Sequence, residues 1–179
     1  EARLALRFAV VIFLILLLSG ILVQILKHLI GRARPVHFEE FGAYAFEPLT
    51  FSFTWNSFPP GHSTTMGAVA AIGALAFARY RAAWIMLAVA VGMSRIATGN
   101  HYPSDVVAGL ALGWVYAALT LSWLTGRGAL PSQDDPAWGS MWAWVARPFA
   151  LVRWRPPGPA FLSRLRWVGF AMFAALLIF

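Results

Sequence analysis

The sequence predicts an all-α protein, an integral membrane helical bundle with four complete transmembrane helices and the start of a fifth. Three observations lead to this fold class. Hydrophobic residues make up 60% of the 179-residue chain and charged residues only 12%, roughly half the charged share that is usual in soluble domains. The apolar residues come in long runs. The basic residues, which give a net charge of +7, gather at the ends of these runs, as they do in membrane proteins.

The same composition excludes several classes of protein. A mean hydropathy of +0.68 and an aromatic content of 15% rule out a disordered chain. The absence of cysteine excludes disulfide scaffolds, thiolate catalysis, iron–sulfur clusters and Cys-ligated zinc. Membrane topology accounts for the positive charge, so we expect no nucleic-acid partner.

Four apolar runs define the predicted spans. The two longer runs, at residues 8–26 and 106–124, are each close in length to the about 20 residues that a helix needs to cross a bilayer. The two runs between them, residues 64–78 and 82–96, are shorter and rich in alanine and glycine. Small residues let membrane helices approach closely, so we expect these two helices to pack against partners.

Charge placement orients the spans. If the four helices alternate in direction, ten arginines fall on one side of the membrane, and the positive-inside rule makes that side cytoplasmic. Four cations and four acidic residues on the outer side cancel each other, so the outer cations need a chemical explanation. We divide the chain into a membrane core at residues 1–125, a cytoplasmic linker rich in Trp, Pro and Arg at 126–160, and the start of a further membrane helix at 161–179.

The outer loop, residues 36–61, contains eight aromatic residues. They form either an aromatic belt at the level of the lipid headgroups or a rim on which a lipid docks, and the two interpretations are compatible. The eight residues are Phe38, Phe41, Tyr44, Phe46, Phe51, Phe53, Trp55 and Phe58.

Three polar clusters lie at the outer ends of the spans, at residues 27–35, 58–63 and 94–105. Alternating spans bring all three to the same membrane face. Lys27, Arg34 and Arg95 then form a cradle for an anion with several charges, because guanidinium groups match phosphate oxygens. His62 begins a predicted helix, where unpaired backbone N–H groups also favour an anion.

His101 precedes Asp105 by four residues across a turn that contains proline. A carboxylate near one imidazole nitrogen fixes the tautomer and leaves the other nitrogen as a nucleophile or a base. Together with the cationic cradle and the second histidine, this pair points to phosphoryl transfer.

Simpler interpretations exist for these residues. The simpler interpretation of the three cations is that their side chains snorkel to a membrane interface, and it applies to Lys27, Arg32 and Arg34. We expect His28 to have no role beyond the interface. Asp105 is also placed to cap the fourth helix, which does not exclude orienting His101. A metal site at His101 is not expected, because a single carboxylate among four cations does not provide enough ligands.

The motif order resembles the type 2 phosphatidic acid phosphatase superfamily. The three patterns are Lys-(six residues)-Arg-Pro at 27–35, Pro-x-Gly-His at 59–62, and Ser-Arg-(five residues)-His-(three residues)-Asp at 94–105. The resemblance covers roughly residues 5–125. It implies a helical bundle that commonly has six spans, two of them before residue 1. It also implies that no metal or other cofactor is required.

The resemblance also implies roles for the matching residues. His101 would attack phosphorus and form a phosphohistidine, with Asp105 orienting it. His62 would protonate the leaving group and then activate water. The residues that would bind the phosphate are Lys27, Arg34, Gly61 through its backbone N–H, Ser94 and Arg95.

One position departs from the family pattern. The second motif usually reads Pro-Ser-Gly-His, and Pro60 stands in the place of the serine. Proline offers neither the hydroxyl nor the backbone N–H, and the loss of one donor to a charged oxygen costs about 1.5–3 kcal/mol. Either Ser63 or Thr64 compensates, or activity is weakened, which leaves a catalytically weakened phospholipid-binding or scaffolding relative as an alternative to the enzyme.

The favoured function is a membrane phosphatase that removes phosphate from a lipid. The resemblance names phosphatidic acid, phosphatidylglycerophosphate, undecaprenyl diphosphate and lipid A as candidate substrates. A vanadate-using oxidase is a remote third option. The composition favours a bacterial inner membrane, with several spans and an active site that faces the periplasm.

Overall fold

A computed structural model describes residues 2–131 and 135–137, and this part of the chain is helical without a β-strand. The α-helices are α1 at Ala2–Ile30, α2 at Phe38–Phe41, α3 at Gly61–Ala76, α4 at Arg81–Ala97 and α5 at Pro103–Gly126. Three short 3₁₀ helices lie at Pro35–His37, Phe53–Trp55 and Ala78–Tyr80. The all-α fold class is therefore confirmed.

The four predicted spans correspond to α1, α3, α4 and α5. Two of these helices, α1 and α5, are long and apolar enough to cross a membrane. The other two have 16 and 17 residues, which at a rise of 1.5 Å per residue gives about 25 Å. Four complete membrane-spanning helices thus remain a prediction. The predicted linker, beyond its first residues, and the predicted helix at 161–179 lie outside the described residues.

Helix α3 is the centre of the bundle and packs most extensively on α5, then on α4 and α1. Glycines at the α3–α5 crossing make this close approach possible. A Cβ atom on Gly113 would lie 1.8 Å from the carbonyl oxygen of Thr64, and one on Gly67 would lie 2.1 Å from that of Leu110. The expectation that small residues let the two shorter helices pack closely is therefore confirmed for α3, whereas in the described structure α4 is buried only at Ala88 and Gly92.

Helices α1 and α4 leave long apolar faces uncovered by the described residues. On α1 these include Phe13, Leu17 and Ile21, and on α4 Met86 and Met93. Faces of this kind are typical of helices that contact lipid tails, because nothing polar is needed on a surface that water does not reach.

The loop between α1 and α3 exposes most of its predicted aromatic residues. Tyr44 is 85% and Phe51 82% exposed, whereas Trp55 packs against Phe41 with ring centroids 4.9 Å apart. The loop is attached to the end of α1, where His28 Nδ1 lies 2.9 Å from the carbonyl oxygen of Thr50. The exposed rings agree with both the belt and the rim interpretations.

Candidate active site

The three polar clusters meet at one end of the bundle, as the alternation of helices predicts. Arg34 Nη1 donates to Asn100 Oδ1 at 2.8 Å, which joins the first cluster to the third. His101 Nδ1 lies 2.5 Å from the carbonyl oxygen of Ser57, which joins the third cluster to the loop before α3. The site lies where four helix ends meet, which are the C-terminal ends of α1 and α4 and the N-terminal ends of α3 and α5.

His101 is buried, and one of its two ring nitrogens has a hydrogen-bond partner. Only 5% of its surface is exposed, and because a carbonyl only accepts hydrogen bonds, we assign the proton to Nδ1, which donates to Ser57. The pKa of His101 is lowered to about 4, mainly by burial and also by the nearby Lys27, Arg34 and His62, against the opposing effect of the hydrogen bond to the Ser57 carbonyl. The imidazole is therefore neutral at pH 7, and its Nε2 lone pair is available as a nucleophile or a base.

Arg34 is held rigidly beside His101. Its Nε donates to the carbonyl oxygen of Phe53 at 3.0 Å, its Nη1 donates to Asn100, and its Cζ lies 3.7 Å from the centre of the Phe53 ring. Burial lowers the pKa of Arg34, yet a guanidinium stays charged at neutral pH. Because Arg34 is 6% exposed, it is not a snorkelling side chain at the surface.

Lys27, Gly61 and His62 line one end of a mainly apolar cavity of about 830 Å³ between α1, α3 and α4. Within the described part of the chain, the side-chain ammonium of Lys27 has no hydrogen bond or ion pair to a protein group, although the Lys27 carbonyl oxygen accepts a hydrogen bond from the Gly31 N–H. The first turn of α3 leaves the N–H groups of Gly61 and His62 without intrahelical partners, as every helix start does. A cation without a partner beside free N–H groups is a suitable place for an anion.

Ser94 and Arg95 lie in the last turn of α4. The Ser94 hydroxyl donates to the carbonyl oxygen of Val91 at 2.7 Å and accepts a hydrogen bond from Arg95 Nε at 3.1 Å. Asn100 links Arg95 to the rest of the site, because its N–H donates to the Arg95 carbonyl oxygen at 3.2 Å while its side chain accepts from Arg34. The sequence analysis did not identify Asn100, whose type and spacing carry no family pattern.

Asp105 lies next to Ser57 rather than directly on His101. The carboxylate is fully buried and accepts hydrogen bonds from the Ser57 hydroxyl at 2.6 Å and from the Tyr102 N–H at 3.1 Å. No hydrogen bond joins Asp105 to His101 in the residues that the structure describes, and Ser57 contacts both of them. That Asp105 orients His101 stays a prediction. The Tyr102 contact confirms that Asp105 caps the start of α5.

Arg32 is the partner of Asp105. Its Nη1 forms an ion pair with Asp105 Oδ1, its Nη2 donates to the carbonyl oxygen of Ala43 at 2.9 Å, and its Cζ lies 4.3 Å from the centre of the Tyr102 ring. Arg32 is thus neither a snorkelling residue nor a phosphate ligand. It balances the charge of a buried carboxylate, which is costly to bury unpaired.

Pro60 is a packing residue at the start of α3. It is fully buried, its carbonyl oxygen accepts hydrogen bonds from the N–H and the hydroxyl of Thr64, and its ring contacts Gly109 of α5. The Ser63 hydroxyl is buried without a partner in the described structure, and the Cβ atom of Ser63 lies beside Gly109. The Thr64 hydroxyl is thus engaged within α3, and the donors that remain near the place of the absent serine are the unpaired Ser63 hydroxyl and the free N–H groups at the start of α3.

Replacing Pro60 by serine is expected to lower the melting temperature, because the ring contact with Gly109 is lost and a second hydroxyl is buried next to Ser63. We expect kcat/KM for phosphate release to change by less than about threefold, which corresponds to less than about 1 kcal/mol of transition-state stabilisation. The measurement is a thermal melt combined with steady-state kinetics. Pro48→Ser, at an exposed proline of the outer loop, is the matched control. A large rise in kcat would instead show that the missing donor limits catalysis.

Comparisons with known proteins agree with this geometry. The chain is 50% identical over 109 residues to proteins named lipid A 1-phosphatase from Rhizobium etli and Rhizobium johnstonii, which covers 61% of this chain and 47% and 45% of those proteins. It is 43% identical over 68 residues to the bacitracin transport permease protein BcrC of Bacillus licheniformis, covering 38% of this chain and 33% of that protein.

The chain spans about half the length of the lipid A 1-phosphatases that it matches. No solved structure shows significant similarity to it. The sequence profile of the PAP2 superfamily matches residues 8–129, a stretch that contains all three motifs and every residue of the site described above. The chain therefore belongs to the PAP2 superfamily, as its resemblance to type 2 phosphatidic acid phosphatases predicts.

Proposed function

We propose that this protein is an integral membrane phosphatase that hydrolyses a phosphomonoester or diphosphate of a lipid through a phosphohistidine intermediate. The observation that carries the proposal is His101. It is neutral, its Nδ1 is hydrogen-bonded to the Ser57 carbonyl oxygen, and it lies near the cations Lys27 and Arg34 and near His62. A nucleophile surrounded by cations fits attack on a phosphate, because the cations bind the oxygens and stabilise the negative charge of the transition state.

The reaction follows from the positions of these groups. The Nε2 lone pair of His101 forms a bond to phosphorus, and the bond from phosphorus to the leaving oxygen breaks. His62, exposed at the start of α3, gives a proton to that oxygen. His62 then takes a proton from water, whose oxygen attacks phosphorus while the bond to Nε2 breaks. Inorganic phosphate leaves, and both histidines return to their starting states.

Lys27, Arg34 and Arg95, with the N–H of Gly61, are the proposed phosphate ligands. Arg34 and Arg95 are connected through Asn100, and Lys27 shares a cavity wall with Gly61. Ser94 acts mainly by holding Arg95 Nε. We propose that no metal is needed, because these cations supply the charge stabilisation and repel a divalent ion.

The lipid A 1-phosphatases that are 50% identical to this chain make lipid A the first candidate substrate. Undecaprenyl diphosphate, phosphatidic acid and phosphatidylglycerophosphate are the others. The excess of arginine at the opposite ends of the helices supports a bacterial inner-membrane protein whose site faces the periplasm.

Purified full-length protein in detergent should release inorganic phosphate from one of these four lipids, and EDTA should leave the rate unchanged. Vanadate should inhibit, because it adopts the five-coordinate geometry of the transition state. The control is the same preparation with His101→Ala. Loss of turnover in EDTA with recovery on added metal would contradict the proposed chemistry. Tight binding of a phosphorylated lipid without any turnover would support the phospholipid-binding alternative instead.

A further inference from the structure

Ser57 stands between the nucleophile and the carboxylate. Its main-chain carbonyl oxygen accepts the hydrogen bond from His101 Nδ1 at 2.5 Å, and its hydroxyl donates to Asp105 Oδ2 at 2.6 Å. Ser57 is fully buried, so water does not compete for either contact. One residue thus contacts both members of the pair in which, by the family resemblance, Asp105 orients His101.

The position of Ser57 is fixed on a third side by Arg32. The Ser57 N–H donates to the Arg32 carbonyl oxygen at 3.0 Å, and the Arg32 guanidinium pairs with the other oxygen of Asp105. The contacts therefore close a ring, from the Arg32 side chain to Asp105, from Asp105 to the Ser57 hydroxyl, and from the Ser57 N–H to the Arg32 main chain. A closed ring of buried hydrogen bonds holds its members more rigidly than separate contacts.

We infer that Ser57 is a positioning residue for the proposed phosphatase reaction, and that Asp105 and Arg32 act on His101 through it. The inference rests on the proposed function, because it concerns the nucleophile of that reaction. The Ser57 carbonyl binds His101 Nδ1 and thereby orients His101 Nε2 toward the substrate. The position of Ser57 in turn depends on the Asp105–Arg32 ion pair. Ser57 lies outside the three sequence motifs, and Arg32 occupies one of the unspecified positions of the first motif.

This arrangement has a chemical consequence. A carboxylate in direct contact with an imidazole favours the protonated form, which has no free lone pair. A carbonyl oxygen fixes the same tautomer without a full negative charge, so the resting imidazole stays neutral and nucleophilic. When Nε2 bonds to phosphorus, the ring becomes positive, and the Ser57 carbonyl dipole, which the hydrogen bond to Asp105 holds in place, stabilises it. The Ser57 carbonyl therefore interacts more strongly with the reacting state than with the resting imidazole, which is where an interaction accelerates a reaction.

Ser57→Ala keeps the carbonyl group and removes the hydroxyl that anchors it to Asp105. We expect the rate of phosphoenzyme formation from nitrophenyl phosphate to fall about ten- to a hundredfold, the range for losing one hydrogen bond to a charged group. The inhibition constant of inorganic phosphate should stay unchanged, because the phosphate ligands are untouched. Ser57→Thr, which keeps the hydroxyl, should retain most of the rate. Ser52→Ala, at an exposed serine of the same loop, should match the wild type.

A double-mutant cycle tests whether Asp105 acts through Ser57. Asp105→Asn should slow phosphorylation in the wild-type background but should have little further effect in Ser57→Ala, because the two substitutions interrupt the same connection. Additive effects of the two substitutions would overturn the inference. An increased inhibition constant for phosphate in Ser57→Ala, in proportion to the lost rate, would also overturn it, since it would indicate general damage to the site.

A measurement that needs no turnover separates this inference from the proposed function. Nitrogen NMR of labelled histidines, with His101 assigned by its loss in His101→Ala, should show a proton on Nδ1 and a bare Nε2 at pH 7. Ser57→Ala should give a mixture of tautomers, and Ser52→Ala should not. An unchanged His101 spectrum in Ser57→Ala would overturn the inference. The expected spectra in a protein that releases no phosphate would support the positioning contact and contradict the phosphatase proposal alone.

Discussion

Replacing His101 by alanine is expected to reduce phosphate release about 10⁴-fold or more and to prevent any phosphoenzyme from forming, because it removes the proposed nucleophile. The effect should be the same with lipid substrates and with nitrophenyl phosphate. A better leaving group does not help when no group attacks phosphorus. Rapid acid-free quenching of the reaction, followed by detection of acid-labile protein-bound phosphate, measures the intermediate directly.

His28→Ala is the matched control for this experiment. His28 also places Nδ1 against a main-chain carbonyl oxygen, that of Thr50, and its ring lies 4.6 Å from that of Phe51. It therefore resembles His101 in its local bonding but has no role in the proposed reaction. We expect His28→Ala to form the phosphoenzyme normally. Trapping of phosphate on the His101→Ala protein would show that another residue is the nucleophile.

The sequence predicts the helical framework well because apolar runs and helices coincide. The run at residues 8–26 lies within α1 at Ala2–Ile30, and the run at 106–124 lies within α5 at Pro103–Gly126. The helices extend beyond the runs because the flanking residues are compatible with a helix although they are polar. Lys27 is an example, since it lies in the last turn of α1 and not in the loop after it.

The grouping of Lys27, Arg34, His62 and His101 at one end of the bundle is also predictable, because it requires only that consecutive helices alternate in direction. Hydrogen bonds across the site are harder to predict. The partner of Asp105 depends on how the loop at residues 31–57 folds back over α5, and that path is set by tertiary contacts such as the one between Arg32 and Ala43.

Ser57 is the clearest example of what the sequence does not reveal. Serine is common in loops, and position 57 has no motif spacing to His101 or Asp105, which follow it by more than 40 residues in the chain. Only the folded loop shows that its carbonyl and its hydroxyl face two different site residues. The serine that the family pattern places at position 60 is absent. Ser57, three residues earlier, instead contacts His101 through its carbonyl oxygen and Asp105 through its hydroxyl.

Replacing His62 by alanine is expected to separate the two steps of the reaction. His62 is exposed at the start of α3 and lines the cavity that Lys27 also lines, where the proposed reaction places the leaving oxygen and later the attacking water. With a lipid substrate, an alkoxide leaves poorly without an acid, so we expect phosphorylation to slow by about 10²- to 10⁴-fold. With nitrophenyl phosphate, the leaving group needs no acid, so phosphorylation should proceed. Hydrolysis of the phosphoenzyme should then stall, because the variant lacks the base that activates water.

The distinguishing result is a burst of nitrophenol, equal to one molecule per protein, followed by very slow turnover and accumulation of phosphohistidine on His62→Ala. His37→Ala, at a histidine of the outer loop beside Glu40, should show full steady-state turnover and no accumulation. The two histidine variants thus give opposite phosphoenzyme levels with the same substrate, none for His101→Ala and nearly complete for His62→Ala. If His62→Ala fails to form the intermediate even with nitrophenyl phosphate, His62 contributes to binding or attack, and its assignment as acid and base is wrong.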